Sequence, residues 1–333
     1  MQARLAQYDT AIAGLNRAVV LFALQEVGAF PALLEGPLTA DALAQKTKTD
    51  LKNLVIFLDV AAAVGFLSRE GDLYGLIPGD ESIFDASEDI VNPLAAPPLI
   101  YWLPRRAMFA DVLRSGKAIP SAGGGGAVSE ATRREFLLRH DAHSRPVAGE
   151  VAALLCDRAL ERIVDIGCGL GTYSFAVLLL CPEATAVLVD RPNAAAVVLE
   201  RAAELGLSDR VTFCGEDLFD GPVLSAEENA DLVFLSNILH DYPAEAAERA
   251  VARAASCLRP GGWLAVKDYD IDEDCRGPLS ALDFRVSMAV FTGGTLWSEG
   301  TVRSWLPGAG LRWKRTHALR EEHTSYLVLA EKV

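Results

Sequence analysis

The chain has 333 residues, 51% of them hydrophobic, and a formal net charge of −14. This length accommodates two domains with separate cores. The acidic balance argues against a nucleic-acid partner, because a phosphate backbone requires a basic surface. No secretory leader pattern is present, and the longest apolar region, residues 53–67, is too short to cross a bilayer. The composition predicts a soluble cytoplasmic protein that binds neither nucleic acid nor membrane.

Residues 1–100 predict a small, mostly helical domain. Helical patterns, one of them opened by Thr39 as an N-cap, precede an alternating segment around residues 70–72 that is typical of a β-hairpin. Three helices and a hairpin indicate a winged-helix arrangement, which serves either DNA binding or dimerisation. The segment has six basic and thirteen acidic residues, and this net charge of −7 would repel DNA. We therefore expect a dimerisation domain.

Residues 101–150 predict connecting helices and a flexible loop that form part of a substrate pocket. The loop, residues 122–127, contains four consecutive glycines and cannot hold regular structure, so it is either a lid or a linker. Candidate pocket residues here and later in the chain are aromatic, polar or cationic side chains suited to a flat substrate. They are Tyr101, Trp102, Arg105, Phe109, Phe136, His140, Asn237, Met288 and Phe291.

Residues 151–333 predict a Rossmann-like α/β domain. Five short β-branched runs alternate with helical or turn segments, which indicates a parallel, doubly wound sheet. The runs at residues 310–319 and 323–332 are joined by a short link, and they predict an antiparallel hairpin at one edge of that sheet. The fold class is thus α/β with an additional helical domain.

A glycine-rich turn follows the first strand of this domain in the stretch "IVDIGCGLGTYS". Gly167, Gly169 and Gly171 allow a tight turn and close approach of a ligand. Both NAD sites and adenosylmethionine sites use such a turn, but the third glycine comes one residue early for the dinucleotide fingerprint. Asp165 would also repel a diphosphate, whereas it suits a ligand with an ammonium and a sulfonium.

Acidic residues end the next two strands of the pattern. Asp190 follows Gly171 by 19 residues, where a carboxylate can hold ribose hydroxyls. Asp217 and Leu218, after the third strand, could contact adenine by a hydrogen bond and by packing. The carboxyl ends of parallel strands are where such sheets bind ligands, so these residues predict one adenosylmethionine site.

These motifs give the chain a resemblance to a known family. The segments "VDIGCGLGT", "VDRP", "GEDLF", "HDYP" and "LRPGGWLAVKD" are similar to motifs of class I adenosylmethionine-dependent O-methyltransferases with an N-terminal winged-helix dimerisation domain. That family includes the caffeic acid and hydroxyindole O-methyltransferases and bacterial natural-product enzymes. The resemblance implies a homodimer that methylates a hydroxyl of a small, aromatic molecule, with adenosylhomocysteine as product and Ser236 at the cofactor site.

The resemblance also assigns the catalytic residues. The residue that matches His240 is the family's general base, and an imidazole at the cofactor end of the sheet can titrate near neutral pH. A base needs an orienting partner, and Asp268, 28 residues further along, matches the family's carboxylate. Asp241 is interpreted as a helix N-cap.

Two departures from the family pattern leave alternatives open. Leu296 stands where many members have a second glutamate, and Ser236 stands where the plant enzymes have a lysine. Some relatives instead methylate the carbon of an α-keto acid with a metal ion, and His140 and His143 are one helical turn apart. We expect no metal. A non-catalytic regulator that binds adenosylmethionine is the other alternative.

Overall fold

The computed structural model describes residues 2–85, 109–119, 130–216, 229–319 and 324–333. The chain divides into two compact units, residues 1–106 and 107–333. The first unit contains α1 (Gln2–Glu26), α2 (Ala29–Leu33), β1 (Leu38–Thr39), α3 (Ala40–Thr47), α4 (Leu51–Ala63), β2 (Ser68–Glu70), β3 (Leu73–Gly75) and α5 (Glu81–Phe84).

The first unit packs its helices around one apolar core and adds a small antiparallel sheet. The sheet has the order β1-β3-β2, and β2 and β3 form the hairpin that the sequence predicts around residues 70–72. Thr39 caps α3 as expected, because its hydroxyl accepts a hydrogen bond from the Ala42 amide. The core includes Leu24, Phe30 and Leu58, each at most 1% exposed.

The second unit is a seven-stranded mixed sheet with helices on both faces. Its elements are α6 (Glu130–Leu155), β4 (Arg162–Ile166), α7 (Thr172–Leu180), β5 (Thr185–Asp190), α8 (Ala195–Glu204), β6 (Val211–Gly215), β7 (Ala230–Ser236), α9 (Ala244–Ser256), β8 (Leu258–Tyr269), α10 (Leu279–Phe291), α11 (Glu299–Trp305), β9 (Leu311–Leu319) and β10 (Ser325–Lys332).

The sheet has the strand order β6-β5-β4-β7-β8-β10-β9. All pairs from β6 to β8 are parallel, and β10 pairs antiparallel with both β8 and β9. This confirms the predicted Rossmann-like fold with its C-terminal antiparallel hairpin. The chain runs outward from β4 in both directions, through β5 on one side and β7 on the other. Such a reversal opens a crevice at the carboxyl ends of the strands.

Two apolar cores cover the two faces of this sheet. One includes Tyr173 and Phe234 with α6, α7 and α8, and the other includes Val233 and Val266 with α9 and α11. The inner strands β4, β7 and β10 are buried along nearly their whole length, which explains why their sequences read as nearly continuous apolar runs, whereas the edge strands β6 and β9 are partly exposed. Both cores end at the crevice, where polar side chains replace apolar ones.

Candidate active site

The glycine turn lies between β4 and α7, at the centre of the crevice. Gly167, Gly169 and Gly171 all have positive φ, at 71°, 57° and 79°. A Cβ at Gly167 would lie 2.2 Å from the Ile238 side chain, and one at Gly171 would lie 2.9 Å from the Phe175 ring. The positive φ therefore favours glycine at all three positions, and a Cβ at Gly167 or Gly171 would also displace the neighbouring side chain. Three of the five residues of the turn, 167–171, thus have no side chain to obstruct a ligand.

Asp165 lies beneath this turn, one residue before the end of β4. The Ser174 hydroxyl donates to Asp165 Oδ2 over 2.6 Å, while the buried Oδ1 has no hydrogen-bond partner among the described residues. Burial raises the pKa of Asp165 to about 7, and the Asp190 charge adds to this increase. A cation bound nearby would favour the ionised carboxylate, so the unsatisfied oxygen fits a ligand that carries an ammonium.

Asp190 ends β5, and protein donors already contact both of its oxygens. Oδ2 accepts from the Gly169 amide at 2.8 Å, and Oδ1 accepts from the Arg191 amide at 2.8 Å and from Arg133 Nη2 at 2.7 Å. A carboxylate has about four lone-pair sites, so one site remains here for a ribose hydroxyl. A second ribose hydrogen bond requires that one of these donors moves.

Arg133, on α6, is a site residue that the sequence did not reveal. Its guanidinium is 6% exposed, pairs with Asp190 from 57 residues away, and has an Nε without a partner among the described residues. In the sequence Arg133 is one of several basic residues in a helical segment. Only the packing of α6 over the crevice distinguishes it from its neighbours, and no local signal could have found it.

A second contact fixes α6 against the glycine turn. Asp141 accepts a hydrogen bond of 2.6 Å from the Thr172 hydroxyl, at the first residue of α7, and another of 2.7 Å from Arg145. His140 precedes Asp141, donates from Nδ1 to the Phe136 carbonyl at 2.8 Å, and stacks on the Phe136 ring at 4.0 Å. The His140 ring is accessible to solvent, yet the surrounding protein and nearby positive charges lower its pKa.

His240 and Asp268 meet at the ends of β7 and β8, as the sequence analysis expected. His240 lies in a single 3₁₀ turn, Leu239–Asp241, after β7. Its Nδ1 is 2.5 Å from Asp268 Oδ1, and its backbone amide is 3.3 Å from Oδ2. A carboxylate only accepts, so Nδ1 carries the hydrogen and Nε2 carries the lone pair. The parallel pairing of β7 with β8 brings together residues 28 positions apart.

The charges around His240 act against each other. Burial lowers the pKa of His240, but the Asp268 charge and its hydrogen bond more than offset this, so the pKa is above its usual value. Asp241 Oδ1 lies 3.9 Å from Nε2 and also favours the protonated ring. Asp241 is therefore not the helix N-cap that the sequence suggested. Helix α9 begins at Ala244 after Pro243, and burial raises the pKa of the Asp241 carboxyl.

An apolar wall lies beside the imidazole. The rings of Phe284 and Tyr269 are 5.3 Å and 5.8 Å from the His240 ring. Leu296 is 2% exposed and packs in the same small core as these two rings, together with Ile271. The position where many relatives have a glutamate is thus filled by a buried hydrocarbon side chain, and Asp268 is the carboxylate that contacts the imidazole directly.

The segment after α10 holds the turn of His240 from the other side. A Cβ at Gly294 would lie 2.1 Å from the His240 carbonyl oxygen, so this backbone passes directly over the turn. The Trp297 indole donates to the Leu239 carbonyl at 3.0 Å, and the Tyr326 hydroxyl donates to the Trp297 carbonyl at 3.2 Å. The turn is therefore fixed by β8, β10 and the 292–298 segment.

The structure places the remaining predicted residues as follows. Ser236 ends β7 opposite Lys267, and the Asn237 side chain contacts the Lys267 ammonium. Phe109 and Phe291 meet edge to face at 6.3 Å, and Met288 is buried. The predictions that fall outside the described residues concern Asp217, Leu218, Tyr101, Trp102, Arg105 and the loop at residues 122–127.

The part of the chain that the structure describes has neither a candidate metal cluster nor a helix that could span a membrane. No three His, Cys, Asp or Glu side chains are grouped there in a way that could hold a metal ion. None of the helices described there is both long and apolar enough to cross a membrane.

The chain is similar to known proteins in both sequence and fold. A family model for the O-methyltransferase domain matches residues 122–312, which is more than half of the chain. The 3-hydroxy-5-methyl-1-naphthoate 3-O-methyltransferase of Streptomyces sahachiroi is 28% identical over 91% of this chain and 88% of its own. The tetracenomycin polyketide synthesis 8-O-methyltransferase of Streptomyces glaucescens is 28% identical over 90% of this chain and 89% of its own. The solved structure of the mitomycin 7-O-methyltransferase superimposes with a TM-score of 0.83 at 27% identity, and the match covers 100% of this chain and 99% of that one.

The chain belongs to the O-methyltransferase family. It is an adenosylmethionine-dependent enzyme that transfers a methyl group to a hydroxyl of a small molecule. The crevice fits this cofactor, because three of the five turn residues have no side chain, Asp165 keeps an unsatisfied oxygen, and Asp190 retains an acceptor site.

Proposed function

We propose that His240 is the general base of this methyltransferase and that Asp268 orients it. The observation that supports this most strongly is the buried contact of 2.5 Å between Nδ1 and Asp268, which leaves Nε2 as the atom that accepts a proton. When bound, adenosylmethionine supplies a methyl group on a sulfonium, which is the electrophile. Nε2 removes the hydroxyl proton as the acceptor oxygen attacks, and such a base typically accelerates a reaction by ~10²–10⁴-fold.

The cofactor occupies the crevice at the reversal of the sheet in this proposal. The Gly167–Gly171 turn contacts it through backbone, Asp165 interacts with its ammonium, and Asp190 holds a ribose hydroxyl. The sequence assigns adenine recognition to Asp217 and Leu218, which lie outside the described residues, and Ser236 borders the methionyl part in this proposal. The switch-point position of the turn supports this arrangement. Without cofactor, the Arg133 guanidinium compensates the negative charge of Asp190. When the cofactor binds, its ribose hydroxyls compete with Arg133 for the same carboxylate oxygens.

The acceptor in this proposal is a phenolic hydroxyl on a flat, apolar natural product made by specialised metabolism. The named relatives act on a naphthoate, a tetracenomycin polyketide and a mitomycin. Phe284, Tyr269 and the buried Leu296 give the imidazole an apolar wall, which suits an aromatic ring more than an anionic acceptor. Phe109, Phe136, His140 and Phe291 are proposed to contribute further to this pocket.

We also propose a cytoplasmic homodimer that is assembled through the N-terminal unit, read as a winged-helix dimerisation domain. The support is that this unit exposes several large apolar side chains, since apolar surface that is contiguous typically marks a protein–protein interface. Their exposed fractions range from 38% to 56%. They are Leu15, Val19, Val27, Leu51, Ile56, Phe66 and Leu73.

Methyl-labelled adenosylmethionine tests the reaction directly. The purified protein is incubated with pools of polycyclic phenols, aromatic amines and α-keto acids, with and without a chelator, and fragmentation mass spectrometry locates the label. Label on phenolic oxygen that is insensitive to chelator supports the proposal. Label on carbon that is lost with chelator makes His240 a metal ligand instead, and cofactor binding without transfer to any pool favours a regulator.

Two substitutions separate the catalytic assignment from the cofactor assignment. His240→Ala should abolish transfer and leave adenosylmethionine affinity within about threefold, because the base acts on the acceptor proton. Asp190→Ala should weaken adenosylmethionine binding. A His240→Ala enzyme with the full rate would refute the base assignment, and unchanged affinity in Asp190→Ala would refute the ribose assignment.

A further inference from the structure

Lys267 is a charged side chain enclosed near the carboxyl end of β8, and it is only 1% exposed. Its ammonium donates to Asn237 Oδ1 at 3.1 Å and lies 4.7 Å from the centre of the Tyr269 ring and 5.9 Å from that of Tyr173. Burying an ammonium is costly unless hydrogen bonds and aromatic faces compensate for lost water. A buried lysine one residue before Asp268 therefore calls for a functional explanation.

Asn237, the partner of Lys267, starts the turn that leads to His240. It has a φ of 54°, the left-handed conformation that asparagine tolerates better than most residues other than glycine. The backbone amide of Asn237 donates to the Lys267 carbonyl at 2.8 Å, and the side-chain oxygen of Asn237 accepts from the Lys267 ammonium. Asn237 is thus attached to Lys267 through both its backbone and its side chain, which fixes the left-handed conformation at the start of the turn.

Lys267 and Asp268 together hold both ends of the segment 237–240. Neighbouring side chains on a strand point to opposite faces of the sheet, so the two residues contact the segment from different sides. Lys267 binds its first residue, and Asp268 binds the ring and the amide of its last. The position of the imidazole therefore depends on both residues, although only Asp268 touches it.

Charged groups from three elements face His240. Asp268 on β8 and Asp241 on the turn itself favour the protonated imidazole, and Lys267 on β8 opposes it. His140 on α6 interacts unfavourably with a protonated His240. A general base has to be neutral before it accepts a proton. The Lys267 charge therefore acts in the direction that catalysis needs, against two carboxylates.

We propose that Lys267 is a positioning residue of this methyltransferase. Through Asn237 it fixes the turn that carries His240, and its buried charge favours the neutral imidazole. This inference rests on the proposed role of His240 as base. It assigns Asn237 to the support of the base, in addition to any contact with the acceptor.

The test measures kcat, the KM for adenosylmethionine and the pH dependence of kcat. In Lys267→Met, kcat should fall about tenfold, and the acidic limb of the profile should move to higher pH by at least ~0.5 unit, because a positive charge is lost. Asn237→Gly accepts the left-handed turn but loses the side-chain contact. Its kcat should fall while its acidic limb keeps the wild-type position. Neither change should alter the KM for adenosylmethionine by more than about threefold.

Lys332→Met is the matched control, because the Lys332 ammonium on β10 donates to the Ala255 carbonyl, away from the crevice. It should keep the wild-type profile. A folded Lys267→Met enzyme with the wild-type acidic limb and a kcat within about twofold of wild type would overturn the inference. If Lys267→Met does not fold, an Asn237→Gly enzyme with unchanged kcat overturns it equally. An active His240→Ala enzyme would instead refute the proposed function itself.

Discussion

As the proposed general base, His240 accepts a proton only in its neutral form, so we expect its environment to set the pH at which transfer occurs. Burial lowers the pKa of His240, and Asp268 raises it to a net value above the ordinary one. The transfer rate should therefore fall as the pH decreases through this raised pKa. The pH dependence of kcat, measured with saturating adenosylmethionine, reports this group in the bound complex.

Asp268→Asn tests whether the Asp268 carboxylate raises the pKa of His240. Loss of the carboxylate charge should move the acidic limb of kcat to lower pH, and the plateau should fall by ~10²-fold because the ring loses its orientation. Asp157→Asn, which removes a partly exposed carboxylate that pairs with Arg315, is the control and should keep the wild-type profile. An unshifted limb in Asp268→Asn would show that another group titrates.

Asp165 gives a second prediction at this scale, concerning stability. The pKa of Asp165 is about 7 in the folded chain and 3.8 as its ordinary value. Between these values the folded state binds a proton that the unfolded state has released, so stability declines as the pH rises through this window. Above pH ~7 both states are ionised, and the folded state bears the full cost of a buried charge.

Asp165→Asn removes this titration. We therefore compare the melting temperature of the variant with that of wild type, both without cofactor. The difference, variant minus wild type, should be more positive at pH 8 than at pH 5. Differential scanning fluorimetry at the two pH values measures it, and the exposed Asp209→Asn is the control. An equal difference at both pH values would mean that the buried Asp165 is not the titrating group.

The individual site residues differ in how far the sequence reveals them. The glycines of the turn and the His240–Asp268 pair could be predicted, because strand ends and short motifs place them and a parallel sheet aligns the ends. Arg133 and Lys267 could not. Their roles depend on contacts between elements, with Asp190 and with Asn237, and a buried cation looks the same in sequence as an exposed one.

At the scale of elements, the turn that carries His240 illustrates where a local prediction fails. An Asp before a helix usually caps it, but Pro243 occupies the N-cap position of α9 and the helix begins at Ala244. Asp241 is instead directed toward the imidazole. The hairpin of β2 and β3 and the cap at Thr39 were predictable because their determinants lie within a few residues.

The packing of the 292–298 segment on this turn predicts the effect of a single methyl group. In Gly294→Ala, the Cβ would lie 2.1 Å from the His240 carbonyl oxygen and 2.7 Å from the Tyr242 amide, so backbone has to move. The displacement should lower kcat by roughly 10²-fold, because a misplaced base loses most of its effect. Adenosylmethionine affinity, measured by calorimetry, should change little, since the glycine turn lies on other strands.

Gly300→Ala is a matched control for that change. Its Cβ would lie 2.0 Å from Glu273 Oε1, a similar overlap, but the neighbour is the end of a flexible side chain that can rotate away. Gly300→Ala should retain a kcat within about threefold of wild type. If both variants lost activity equally, the cause would be general destabilisation of the region around residues 294–300, and lower melting temperatures would show it.

At the scale of the whole molecule, the order of the sheet explains why distant motifs form one site. The chain leaves β4 toward β5 and β6 and later returns to add β7 and β8 on the other side. The residues proposed to bind the cofactor therefore lie on one half of the sheet, and the proposed base with its carboxylate lies on the other. The two halves meet at the glycine turn, so a ligand bound there reaches both. Alternating strand and helix patterns were sufficient to predict this fold, because each parallel crossover requires them.

The proposed homodimer can be tested through the exposed apolar side chains of α1. Leu15 and Val19 are four residues apart on this helix, at 48% and 39% exposure. Sedimentation velocity should give wild-type protein a mass of about twice the 35.7 kDa chain. Leu15→Glu with Val19→Glu should give the monomer mass, because paired carboxylates oppose burial in an interface. Leu179→Glu, at a 59% exposed leucine in the second unit, should remain dimeric. A monomeric wild type would refute the proposed dimer. A double variant that stays dimeric would show that α1 does not form the interface.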